Sequence, residues 1–198
     1  MTSISRSYLI LHGWQNHRPE GHWQHWLASE LTALGHAVTY PQLPDPDHPR
    51  LEVWLDRLHT HLDAQRHERV VVCHSLAVPL WLHAVARGRV RADRVLLVAP
   101  PSEEVIAGYE DIAGFGAPAA TAAHLRTAAP VTRLVATDND PYCPHGAAKE
   151  YGVPLGLDTD LIPGAAHLDM EAGYGDWPSA LTWCLNPTTR ISARPTRA

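Results

Sequence analysis

The segment Val70-Val71-Val72-Cys73-His74-Ser75-Leu76-Ala77-Val78-Pro79-Leu80 constrains this chain more than any other. A continuous apolar, β-branched run reads as a strand buried on both faces. It stops at small and polar residues, and a helix departs at once over residues 77 to 87. Pro79 falls in the first helical turn, where a missing N–H costs nothing. A fully buried strand that turns straight into a helix belongs in a parallel sheet, because parallel neighbours are joined by crossovers.

The same grammar repeats along the chain. Short apolar runs at Tyr8–Leu11, Ala37–Tyr40, Arg94–Ala99, Val131–Thr137 and Leu157–Ile162 predict five further strands. Between them, Trp23, Trp26, Leu27, Leu31 and Leu34 recur at helical spacing and stop at Gly35, a good helix terminator. Val53, Trp54, Leu55, Leu58 and Leu62 repeat at the same spacing, and Ser179 to Leu185 predicts a closing helix. Pro41, Pro44, Pro46 and Pro49 break the chain into loop. The fold class expected is therefore α/β: one compact domain of about six parallel strands with helices on both faces. Residues 1–187 form one domain in this reading, and 188–198, with three arginines and no apolar pattern, form a flexible tail. The span from Pro100 to Pro130 must hold a crossover helix and leaves little or no room for a cap.

Composition narrows the function classes. A formal charge of −5 without a basic stripe argues against nucleic acid. No apolar run approaches the roughly 20 residues of a membrane span, and the opening apolar stretch is too short for a signal peptide. Cys73, Cys143 and Cys184 are odd in number and widely spaced, which suits free thiols in a reducing compartment, so the cytoplasm is expected. Fourteen histidines raise the question of a metal. His22 with His25, and His59 with His61, lack a third ligand at a recognised spacing, and structural or surface roles are expected for them. No cofactor and no metal are assigned, and oligomeric state is not legible.

In open parallel sheets, ligands bind beyond the carboxyl ends of the strands. His12-Gly13, His74-Ser75, Asp138 to Asp140 and Gly164 to His167 all stand there. Ser75 matches the nucleophile elbow G-x-S-x-G, with Cys73 and Ala77, both small, in place of the two glycines. A serine hydroxyl needs an adjacent base. The order Ser75, Asp140, His167 is that expected of nucleophile, acid and base in this type of fold. Asp138 competes for the acid role; Asp140 is preferred because Pro144 stands four residues after it, as in the D-x-x-x-P turn common in such folds. His74 is expected to pack beneath the turn. An oxyanion hole requires backbone N–H donors, and Leu76 and Trp14 are the candidates. Trp14, Leu76, Tyr109 and Phe115 are candidate pocket walls.

These residues resemble the small serine hydrolases of the retinoblastoma-binding-protein-nine and YdeN-like type, within the α/β-hydrolase superfamily. The resemblance rests on the strand-His-Gly opening, Gly21-His22-Trp23-Gln24-His25-Trp26-Leu27, Leu43-Pro44-Asp45-Pro46 and the His74-Ser75 elbow. It rests also on the Asp-x-x-x-Pro turn, Gly164-Ala165-Ala166-His167 and Gly173-Tyr174-Gly175-Asp176-Trp177-Pro178. It spans residues 8 to about 185 and implies a six-stranded parallel sheet and a Ser75, Asp140, His167 triad. Cys73 departs from the glycine usual there.

The function expected is hydrolysis of small-molecule carboxylic esters with small acyl groups through an acyl-enzyme. The alternatives are amide or peptide hydrolysis, acyl transfer or thioester cleavage, and a binding protein that keeps the fold without catalysis. Sequence does not separate these, since fold does not imply function.

Overall fold

The apolar runs form strands, and the pairing is parallel throughout. The computed structural model describes residues 6–195. Strands β1 (Arg6–Leu11), β2 (Ala37–Thr39), β3 (Glu68–His74), β4 (Arg94–Val98), β5 (Val131–Thr137) and β6 (Asp158–Ile162) make one sheet in the order β2-β1-β3-β4-β5-β6. Leu11 lies opposite Cys73, His74 opposite Val98, and Thr137 opposite Ile162. This register gathers the polar strand ends along one edge. The strand order reverses between β1 and β3, and the crevice beyond such a reversal is where ligands bind in open α/β sheets.

Alternation along the pleat supplies two apolar layers. Leu9, Leu11, Val71, Cys73, Val95 and Leu97 project to one side, where they meet α2 (Leu51–Ala64) and α3 (Ala77–Ala86) through Trp54, Leu58, Leu80 and Trp81. Tyr8, Ile10, Val70, Val72, Leu96 and Val98 project to the other. There they meet α1 (Trp23–Ala33) and α7 (Pro178–Leu185) through Trp23, Leu27, Leu31 and Trp183. Each fully buried side chain of this size stabilises the fold by roughly 1.5–3 kcal/mol, which is why both faces of the sheet must be covered. The β4–β5 crossover holds α4 (Glu103–Ala107), a 3-10 turn (Glu110–Phe115) and α5 (Ala122–Ala128). A π-helical turn (Ala148–Gly152) runs into the one-turn α6 (Val153–Leu155) before β6.

Residues 188–195, within the stretch read from sequence as a tail, make contacts with the domain. Arg190 pairs with Asp158 and Asp160, and Arg133 pairs with the same two carboxylates. The Ile191 N–H donates to Asp160, and its side chain is buried. Trp177 Nε1–H and the Ser179 hydroxyl donate to the Ser192 carbonyl. Arg190, which looks like part of a solvated tail in sequence, joins Arg133 in neutralising the acidic edge strand β6, and Arg194 lies over the Tyr174 ring. Residues 196–198 of that tail lie outside the described residues.

Candidate active site

Ser75 occupies the turn between β3 and α3 with φ 56°, a left-handed conformation that a side chain adopts only at a cost of roughly 1–2 kcal/mol. The turn is held from both sides: the Ser75 N–H donates to Val98 O (2.9 Å), and Ser75 O accepts from Val78 N–H (2.9 Å). The crowding that calls for small neighbours is visible. Cys73 and Ala77 are both fully buried, and a Cβ built on Gly13 would lie 2.7 Å from Ser75 Cβ. Burial pushes the Cys73 thiol pKa up, so this residue acts as a small apolar filler and not as a thiolate.

Four consecutive side chains at the end of β5 hold the loop that carries His167. Thr137 Oγ1 donates to Ala166 O (2.6 Å). Asp138 accepts from Gly164 N–H (2.7 Å), and Asn139 Oδ1 from Ala166 N–H (2.8 Å). Asp140 reaches the ring itself, its two oxygens 3.0 and 2.9 Å from His167 Nδ1. Ala166 and Leu168, on either side of the histidine, have φ of 46° and 53°. The clamp from β5 sustains a conformation that short loops do not hold unaided. From below, His74 Nε2–H donates to the His167 carbonyl (3.0 Å).

His167 Nε2 then lies 2.9 Å from Ser75 Oγ. With Nδ1–H donated to the buried carboxylate, Nε2 is the acceptor for the serine hydroxyl. Asp140 is itself fixed by Tyr142 N–H (2.9 Å). The structure thus brings Ser75, His167 and Asp140 together in line, and gives Asp138 a different partner, the backbone of the histidine loop.

The loop after β1 is tied down by side-chain contacts that the sequence reading did not assign. His12 is fully buried. Its Nε2 accepts from Leu43 N–H (2.8 Å) and lies 3.0 Å from Gln42 Nε2, so its Nδ1–H donates to Gly13 O (2.8 Å). Burial lowers its pKa to about 4, which keeps it neutral for this role. Trp14 Nε1–H donates to Asp47 O (2.9 Å), and Gln15 N–H to Pro46 O (2.8 Å). The proline-rich segment after β2 is therefore a buttress for the backbone beside Ser75. His12 and Asn139 are single polar residues at strand ends, and only that position hinted at their use.

A cavity of about 480 Å³ opens over Ser75. Trp14, Leu76 and Tyr109 line it, as the sequence suggested. Phe115 does not: it is buried on the inner side of the 3-10 turn, edge-on to Trp54 at 5.3 Å between ring centroids. Its carbonyl accepts from His83 Nε2–H of α3, which turns that segment inward. Lining residues missed from sequence include Val105, Ile112, Asp169, Glu171 and Tyr142, whose ring lies against that of His167. Among the described residues, no group of three or more His, Cys, Asp or Glu side chains is placed to hold a metal ion.

An all-parallel sheet with helices on both faces, the Ser75 turn at its reversal point, and Asp140 and His167 beyond β5 and β6 defines an α/β hydrolase. The chain belongs to the serine hydrolase family, whose model matches residues 8–184. It is similar to YdeN of Bacillus subtilis (strain 168), with 33% identity over 79 residues. That match spans 40% of this chain and 41% of YdeN. The crystal structure of the B. subtilis ydeN gene product superposes with a TM-score of 0.77 at 21% identity, covering 91% of this chain and 97% of that one. A YdeN-like hydrolase from Pectobacterium atrosepticum SCRI1043 gives 0.68 at 19% identity, covering 90% and 88%. A structure described for the metagenome-derived lipolytic enzymes LipS and LipT gives 0.68 at 13% identity, covering 91% of each chain.

Proposed function

We propose that this serine hydrolase cleaves carboxylic esters with small acyl groups by way of an acyl-enzyme on Ser75. The observation that carries the reading is the unbroken relay from Ser75 Oγ to His167 Nε2 (2.9 Å) and from His167 Nδ1 to Asp140 (2.9 Å). His167 accepts the serine proton as Oγ bonds to the ester carbonyl carbon, and Asp140 orients and stabilises the imidazolium. The tetrahedral oxyanion is met by the backbone N–H groups of Trp14 and Leu76. When the ester C–O bond breaks, His167 passes its proton to the leaving alcohol. Water, deprotonated by His167, then attacks the acyl-enzyme carbonyl and releases the carboxylic acid and Ser75. Every atom in these steps comes from protein, ester and water.

Small acyl groups suit the apolar wall of Leu76, Pro101, Val105 and Ile112. The fold likeness to lipolytic enzymes supports an ester over other acyl compounds, and Cys73, Cys143 and Cys184, all buried and unpaired, support a cytoplasmic setting. The test is a panel in which one acetyl group is presented as ester, thioester and amide. Esters should be turned over with the highest kcat/KM, and the activity should vanish on pretreatment with a fluorophosphonate. Turnover of the amide or thioester with the ester left intact would overturn the ester assignment.

A further inference from the structure

The cavity lining is of two chemistries. Besides its apolar residues it has an aromatic and acidic wall, which includes Tyr142 next to His167. The Tyr142 ring lies 4.5 Å from that of His167, and the Trp14 ring 5.0 Å from that of Tyr109. Tyr109 and Tyr142 are 45% and 39% exposed, so part of each side chain is accessible to a ligand. Asp169 and Glu171 join the same wall two and four residues after the histidine. Tyr109, Asp169 and Glu171 stand close enough to Tyr142 to help burial raise the pKa of its phenol.

Among the described residues, neither a lysine nor an arginine lines the cavity beside these carboxylates. Burial holds His22 at a pKa of about 4 and His74 well below its ordinary value, so both are neutral near pH 7. His17 pairs with Asp47. Arg18, adjacent in sequence to lining residues, is turned away: its guanidinium donates to Tyr40 O (2.6 Å) and lies 5.5 Å from the Tyr40 ring. Accessible aromatic side chains beside carboxylates attract a cation and repel an anion.

We propose that this wall, Trp14, Tyr109 and Tyr142 with Asp169 and Glu171, takes a cationic leaving group, so that the preferred substrates are esters of alcohols that carry an ammonium group. The assignment to the leaving side follows from His167, which must reach the departing oxygen to return its proton. It rests on the reading of Ser75 as nucleophile.

The test compares acetylcholine with its neutral isostere, 3,3-dimethylbutyl acetate, which has the same acyl group. The cationic ester should have a kcat/KM about tenfold higher at low ionic strength, a ratio that shrinks as salt screens the carboxylates. The double variant Asp169→Asn/Glu171→Gln should bring the ratio most of the way to one. Asn at 169 keeps the acceptor that Ala172 N–H uses, so the loop carrying His167 stays tied. A second measurement needs no turnover: tetramethylammonium added to Ser75→Ala should shift the ring resonances of Tyr142, Tyr109 and Trp14, and 3,3-dimethylbutanol should not. Shifts in Ser75→Ala without hydrolysis of either ester by the wild type would sink the catalytic reading and leave the cation site standing. Equal turnover of the two esters with no selective shifts would overturn the cation site.

Discussion

Gly13 and Ser75 are packed so closely that a methyl group on Gly13 would lie 2.7 Å from Ser75 Cβ and 3.1 Å from its Oγ. The first strand's loop is thereby pressed against the serine. The neighbour is backbone-anchored on a strained turn and cannot swing aside. Gly13→Ala should therefore displace Oγ from His167 and lower kcat/KM by about a hundredfold, the scale on which small misplacements act. Overpacking should also cost about 1–3 kcal/mol of stability. Steady-state kinetics and urea unfolding of the variant check both; wild-type kinetics would show that the loop moves freely.

Asp138 and Asp140 differ in what they hold, and their amides should differ in consequence. Asp140→Asn should lower kcat by about 10⁴, because an amide no longer fixes the Nδ1–H tautomer or stabilises the imidazolium. Asp138→Asn keeps an oxygen acceptor for Gly164 N–H and should retain activity within about tenfold. Kinetics of the two single variants decide the matter, and a larger loss at 138 would reverse the roles.

Acid should destabilise the fold through histidines that must stay neutral. Burial lowers His12 and His22 to about 4 from 6.5, and holds His74 well below its ordinary value. Between pH 6.5 and 4 the unfolded chain therefore binds more protons than the folded one, so stability falls with falling pH across that window and is fully present above it. His12 and His22 each account for on the order of 3 kcal/mol by pH 4. Urea midpoints at pH 7.5, 6, 5 and 4.5 should decline steadily, and a flat profile down to pH 5 would show that these rings are not held neutral.

Much of this was legible before any coordinates. Continuous apolar runs such as Val70–Cys73 have only one economical home, a sheet covered on both faces, and their polar ends then have to share an edge. That logic located Ser75, Asp140 and His167, and the geometry brings the three side chains together. What sequence hid has a common cause. Phe115 stands on a short 3-10 turn between β4 and β5 whose inward and outward faces cannot be told apart by periodicity over so few residues. The tail holds on through Arg190 and Asp160, an ion pair between residues far apart in sequence. Thr137 and Asn139 are ordinary turn residues until the loop they grip is placed opposite them.

The central claim is that Ser75 Oγ is the attacking atom, and one substitution tests it most directly. Ser75→Ala leaves the buried β3 strand and the α3 helix intact, so the variant should fold. Its rate on an ester that the wild type hydrolyses should fall by about 10⁶ or to background. A folded Ser75→Ala protein that hydrolyses the ester at the wild-type rate would contradict the assignment.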